Sequence, residues 1–194
     1  MKVFKFGGVS VKDAPAVKNV GKILQGFPDD KIIVVISAMG KTTNALERLT
    51  EAFFYQKPER KSILEEIKAY HFSIVKDLFS DENHSIYDSI ENTFVELEWA
   101  TEGFPEHDFD HEYDQIVSLG EILSTQIVSA YLNQIGLKNS WLDARGLIQT
   151  DDSYRQAKID FVQTEKNVQD AMRLIQFPGQ ISIAVVQGFI GGTS

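Results

Sequence analysis

The sequence has 194 residues, 43% apolar and 24% charged, which places it in the range of a single globular domain and excludes a wholly disordered chain. It contains no cysteine, which excludes disulfides, cysteine-ligated zinc, iron–sulfur clusters and thiol catalysis, and fits a cytoplasmic protein. Its net charge of −9 opposes a general nucleic-acid-binding surface, because phosphates repel an acidic chain.

In chain order, residues 1–6 carry Lys2 and Lys5 where a signal peptide would continue its apolar stretch. No apolar run approaches the roughly 20 residues of a membrane span, so neither secretion nor a membrane partner is expected. Residues 3–6 predict a short strand ending at Gly7-Gly8. A helix is predicted over 11–25, with Val17, Val20, Ile23 and Leu24 on one face and Gly26 as its stop. Residues 31–36 are continuously apolar and β-branched after Lys31, the pattern of a strand buried on both faces. A polar loop, Ser37-Ala38-Met39-Gly40-Lys41-Thr42-Thr43-Asn44, follows, and helix resumes over about 44–55.

Pro58 suits the first position of the next helix, where its missing N–H costs nothing. Ile63, Ile67, Tyr70, Ile74, Val75 and Leu78 give that helix its apolar face. A further helix is predicted over 85–100, an irregular stretch over 103–110, and one long helix over 113–135 that Gly136 ends. Residues 140–143 and 147–149 are short strand candidates. Thr164 is placed to cap a helix running to about 176, with Val168, Met172 and Ile175 inward. Residues 181–186 form a second β-branched strand, leading into Gln187-Gly188-Phe189-Ile190-Gly191-Gly192. Strands alternating with helices predict an α/β fold, a layered α/β/α arrangement with a mainly parallel sheet.

The charge is unevenly spread. Between Asp77 and Leu137 there are 14 acidic residues and no Lys or Arg; the remainder carries 19 basic and 14 acidic residues, a balance of +5. The acidic block is expected to solvate helical faces or to meet a basic surface on a partner chain.

In parallel α/β folds, ligands gather at the C-terminal ends of strands. Three glycine-bearing loops converge there: Gly7-Gly8-Val9-Ser10, Ser37-Ala38-Met39-Gly40 and Gly188-Phe189-Ile190-Gly191. Lys5 lies two residues before Gly7-Gly8. Glycines let backbone N–H groups approach an anion, and the lysine adds a full charge, which suits a phosphoryl group. The alternative is a tight turn beside an exposed lysine. Neither G-x-x-x-x-G-K-[ST] nor G-x-G-x-x-G is present. At the second loop, Ser37, Thr43 and Asn44 offer polar groups, although Thr43 also suits a helix cap. Gly120 falls inside the predicted long helix at a cost of about 1 kcal/mol relative to alanine, which implies a close approach. Glu121 beside it could bind an ammonium group or simply be solvated. In His107–Asp114, two histidines four apart with interleaved carboxylates match no metal motif, and a solvated acidic loop is the simpler reading.

Lys5-Phe6-Gly7-Gly8-Val9-Ser10 closely resembles the K-F-G-G-T-S signature that opens aspartokinases. Ser37-Ala38-Met39-Gly40 with Thr43-Asn44 is similar to their second loop. Ser118-Leu119-Gly120-Glu121 with Ser124 resembles their S-x-G-E-x-x-S helix, and Gln187-Gly188-Phe189-Ile190-Gly191 their Q-G-F-I-G strand end. The resemblance implies transfer of a phosphoryl group from ATP, with magnesium held mainly by the nucleotide, to the β-carboxylate of L-aspartate. It implies that Lys5 stabilises the transferring group, that Gly7, Gly8, Ser10 and Ser37 line the phosphate region, and that Thr43, Glu121 and Phe189 hold aspartate, Glu121 by its α-ammonium. Val9 replaces the usual threonine. The family continues beyond Q-G-F-I-G with a G-R-G-G-S-D-like segment, nucleotide-binding strands and ACT domains, so residues 1–194 are expected to be the N-terminal, amino-acid-binding lobe, with little activity alone. A non-catalytic aspartate-binding or assembly module, and the N-terminus of a bifunctional aspartokinase–homoserine dehydrogenase, are the alternatives. Aspartokinases commonly form dimers; a homodimer stays open here.

Overall fold

The computed structural model describes residues 1–176 and 182–193. Six strands and seven α-helices follow one another along these residues, five of the helices in succession: β1 (Lys2–Phe6), α1 (Ala14–Gln25), β2 (Ile32–Ile36), α2 (Thr42–Phe54), α3 (Arg60–Leu78), α4 (Ile86–Ala100), α5 (Phe109–Val117), α6 (Leu119–Gln134), β3 (Asn139–Leu142), β4 (Gln149–Thr150), α7 (Phe161–Gln176), β5 (Ile183–Gln187) and β6 (Gly192–Thr193). The main sheet has the order β1-β2-β5-β3, with every pairing parallel. β4 and β6 pair in parallel beside it. The layered, mainly parallel α/β architecture expected from the alternation is the one observed.

One face of the sheet presents Ile32, Val34 and Ile36 of β2 with Ile183 and Val185 of β5, all buried. Val17, Val20 and Leu24 of α1 and Leu123 and Ile127 of α6 complete this core. Each such fully buried aliphatic side chain contributes roughly 1.5–3 kcal/mol. α6 packs against α1 to α5 and against β2, β3 and β5. It is therefore buried on nearly every side, and its polar residues turn inward to partners: Ser124 Oγ donates to the Ser37 carbonyl at 2.7 Å, and Ser129 Oγ to Asn139 Oδ1 at 2.7 Å.

Several boundaries differ from the sequence expectation. A 3-10 turn over Gly8–Val11 precedes α1, which starts at Ala14 because the Asp13 carboxylate caps it, accepting from Ala16 N–H at 2.8 Å. α2 starts at Thr42, so Thr43 lies in its first turn and is not its cap. Pro58 precedes α3, with Glu59 at the cap position. The predicted helix 113–135 is two helices that meet at Ser118, and the first begins earlier, at Phe109, where Asp108 accepts from His111 N–H at 2.9 Å. Much of the expected acidic loop is thus helix. Likewise α7 starts at Phe161, with the Asp160 carboxylate accepting from Gln163 N–H at 3.0 Å, so Thr164 is interior. Val168 and Met172 are half-buried as expected. The Ile175 side chain and Ile181 lie outside the described residues.

The acidic block is drawn to the basic frame of the same chain. Lys68 meets Glu91 at 2.7 Å, Arg145 meets Glu96 at 3.0 Å, and Arg155 meets Asp110 at 3.0 Å.

Candidate functional site

The three glycine-bearing loops leave β1, β2 and β5 side by side and are stitched together by backbone hydrogen bonds. Ser37 N–H donates to the Phe6 carbonyl at 3.1 Å, Gly40 N–H to the Gly8 carbonyl at 3.0 Å, and Gly188 N–H to the Ile36 carbonyl at 3.3 Å. The fit between the first two loops requires glycine at position 8, where a Cβ would stand 2.7 Å from the Ala38 carbonyl oxygen. Gly40 adopts φ +55°, and Tyr70, whose hydroxyl donates to the Lys12 carbonyl at 2.5 Å, closes the space above it.

Lys5, Gly7 and Ser10 are exposed at this edge, while Gly8 and Ser37 are half-buried. Phe4 and Phe6 stack on each other on the face of β1 turned toward the core. Lys5, between them, therefore projects from the other face of the sheet.

Glu121 sits in the first turn of α6 and is only 7% exposed. Burial pushes its carboxyl up to about 7, opposed by the weaker pull of the Ala38 N–H, which donates to Oε1 at 3.4 Å. Gly120 is where α6 meets the second loop: a Cβ there would stand 2.9 Å from Leu46 Cδ1 and 3.2 Å from Ala38 Cβ. The close approach expected of Gly120 is present, and Glu121 is enclosed, not solvated.

A cavity of about 930 Å³ opens beside Glu121. Thr43, Glu121 and Phe189 all line it, so the three residues implied to hold one substrate do converge. Lys5, Gly7, Gly8, Ser10 and Ser37 are not part of its lining. Phe189 takes φ +74°, a costly conformation for a residue with a Cβ, and the residue is 99% exposed.

Ser118, Gln187, Ile190 and Gly191, which belong to the quoted motifs, also line the cavity, while Tyr113, Asp114, Arg145 and Arg155 line it without belonging to any. Tyr113 donates to Glu47 Oε1 at 2.7 Å; burial, and then that carboxylate, push its hydroxyl up to about 12. The Arg155 guanidinium lies 4.4 Å over the Tyr113 ring, and its backbone N–H donates to Asp114 at 2.8 Å. Burial holds Asp114 above the usual carboxylate range. Arg145 is tied to Asp143 and Glu96. Gln187 was visible as part of a strand end but carried no assigned task. It is buried against Thr125 and Ala144. The rings of His107 and His111 stand 4.1 Å apart, and among the described residues no three His, Asp or Glu side chains are grouped to hold a metal.

Comparison with known proteins follows the same lines. The profile described as the amino acid kinase family matches residues 1–194. The chain is 36% identical over 159 residues to a chloroplastic aspartokinase 2 of Arabidopsis thaliana, covering 77% of this chain and 28% of that protein. It is 29% identical over 190 residues to the bifunctional aspartokinase/homoserine dehydrogenase 2 of Escherichia coli, covering 97% of this chain and 22% of that one. The structure of E. coli aspartokinase III in complex with aspartate and ADP superposes with a TM-score of 0.84 at 26% identity, over 100% of this chain and 42% of the other. The chain thus spans between about a fifth and two fifths of these relatives' length. With the parallel sheet, the three stitched loops and a profile match over its whole length, the chain belongs to the amino acid kinase family.

Proposed function

We propose that this chain is the N-terminal, amino-acid-binding lobe of an aspartate kinase that converts ATP and L-aspartate to ADP and 4-phospho-L-aspartate. The observation that carries the reading is Glu121: a buried carboxylate held only weakly by backbone N–H groups, that of Ala38 at 3.4 Å, and opening into a cavity that Thr43 and Phe189 also line. Such a group binds an α-ammonium well, because the incoming charge offsets the cost of ionising in a dry site. Relatives named aspartokinase, and a solved relative in complex with aspartate and ADP, support the same substrate.

Within this reading, a β-carboxylate oxygen of aspartate forms the new bond to the γ-phosphorus while the bond to the bridging oxygen of ADP breaks. Lys5 holds charge that develops on the transferring group, and the N–H groups of Gly7 and Gly8, with Ser10 and Ser37, face the phosphates. Lys5 is exposed at the strand end and Gly7 has open space around its Cα, which leaves room for such an anion. Magnesium would accompany the nucleotide phosphates. A cytoplasmic location and a homodimer belong to the same reading.

The test is titration calorimetry of L-aspartate into the full-length protein. Wild type is expected to bind, and Glu121→Gln to bind at least tenfold more weakly. Equal affinity in the two would overturn the reading.

A further inference from the structure

Beneath the cavity, a hydroxyl that no motif singles out joins three elements of the fold, α6, β3 and β5. Thr125 lies on α6, one turn after Glu121, and is fully buried. Its oxygen accepts from Gln187 Nε2 at 2.6 Å and from Trp141 Nε1 at 2.9 Å. Its proton is shared between the carbonyls of Glu121, at 2.9 Å, and Ile122, at 3.1 Å. The indole nitrogen can only donate, so the direction of every bond is fixed: both lone pairs of the hydroxyl are occupied and its hydrogen must point back along α6. The amide of Gln187 is fixed in turn. Its nitrogen faces Thr125, and its oxygen accepts from Ala144 N–H at 2.7 Å.

Gln187 is itself 4% exposed and is the last residue of β5, two before Phe189. Ala144 begins the 3-10 turn Ala144–Gly146, and the Arg145 carbonyl of that turn packs so closely on Gly192 that a Cβ there would overlap it. One amide therefore holds three parts of the cavity wall in register: the first turn of α6 with Glu121, the chain leaving β5 toward Phe189, and the turn carrying Arg145. Each buried polar side-chain atom of this network has a partner, and removing one member leaves another without its bond.

We propose that Gln187 is a positioning residue for the amino-acid site, acting through the Thr125 hydroxyl to hold Glu121 and the Phe189 segment at one separation. This rests on the reading that Glu121 receives the ammonium group of aspartate. The network also contains its own reporter: Trp141 is hydrogen-bonded within it, whereas the other tryptophan, Trp99, is 72% exposed.

The experiment compares wild type, Thr125→Val, Thr125→Ser, Gln187→Glu and Glu121→Gln in the full-length protein. L-aspartate affinity is measured by calorimetry, and the indole N–H signal of Trp141 by NMR. Thr125→Val is close in shape and lacks the hydroxyl; Thr125→Ser restores it. Gln187→Glu puts a second acceptor where Thr125 needs a donor. Thr125→Val and Gln187→Glu are expected to shift the Trp141 signal and to weaken aspartate binding about tenfold, with Thr125→Ser within twofold of wild type on both readouts. If Glu121→Gln weakens binding while Thr125→Val, with its Trp141 signal moved, stays within twofold of wild type, the positioning role is overturned alone. If Glu121→Gln binds normally, the site reading falls and the positioning role falls with it. Should Thr125→Val fail to fold, Gln187→Glu gives the same comparison.

Discussion

The backbone N–H of Ala38 donates to Oε1 of Glu121 at 3.4 Å, across a separation of 83 residues. Through it the loop after β2 touches the first turn of α6, and Ser124 repeats the link one turn later by donating to the Ser37 carbonyl at 2.7 Å. The second glycine loop is thus mounted on α6 as much as on its own strand. Changes at this seam should be felt both in stability and at the cavity.

Gly120→Ala is the direct probe of the seam. Alanine improves helix propensity by about 1 kcal/mol. Its Cβ, however, would press on Leu46, Ala38 and Thr42, at 2.9, 3.2 and 3.3 Å. Overpacking of this kind costs about 1–3 kcal/mol, so a net loss is expected. A urea midpoint lower than that of wild type, together with weaker aspartate binding, is the expected result.

Two buried groups make opposite contributions to the pH dependence of stability. Glu121 is raised to about 7 by burial, so the native chain binds a proton that the unfolded chain releases near 4.5. This term favours the fold at low pH and is lost as pH rises through 7, amounting to about 3 kcal/mol. His71 is wholly buried, with Nδ1 2.8 Å from the Ile67 carbonyl and Nε2 3.4 Å from Thr42 Oγ1. Burial lowers it to about 4, against the opposing pull of that carbonyl. Its term is present above 6.5 and is lost as pH falls through 4. Between pH 4.5 and 6.5 the two slopes offset each other. Glu121→Gln should therefore expose a stability that falls with acid, measured by urea unfolding across this range.

His71→Leu is the complementary case. It should leave a stability that falls as pH rises from 4.5 to 7, because only the Glu121 term remains. Parallel curves for His71→Leu and wild type across that window would show that His71 does not titrate with folding.

For phosphoryl transfer in the full-length protein, Lys5→Ala should lower kcat by about 10²–10³ and leave the KM for aspartate within a few fold. The separation follows from placement, since Lys5 leaves the opposite face of the sheet from α6 and is not part of the cavity lining that contains Glu121. Steady-state kinetics with each substrate varied in turn would check it.

The strands were legible because a buried parallel strand writes itself as an unbroken apolar run, as in Ile32–Ile36. The break at Ser118 was not. Ile116, Leu119 and Leu123 keep a helical rhythm across it because α5 and α6 line the same core, and Ser118 itself has helical dihedrals. Only lengthened bonds mark the place, such as Ser118 N–H to the Asp114 carbonyl at 3.4 Å. The start of α5 was hidden for a different reason: its first turn, Phe109-Asp110-His111-Glu112, has the composition of a solvated loop, and only the Asp108 cap distinguishes it. In the site, Glu121 and Thr43 were found because short motifs surround them. Arg155 and Tyr113 were not, since their meeting depends on a turn at φ +61° that brings the chain after β4 against α5.

The helix that carries Glu121 has almost no side free for variation. Of its neighbours, five are helices and three are strands, so any residue that changes size along it presses on the interior of the whole molecule. Change in the cavity lining is accordingly easier away from α6, as at Phe189, which lines the same cavity and is 99% exposed, so that its exchange leaves no hole in the core.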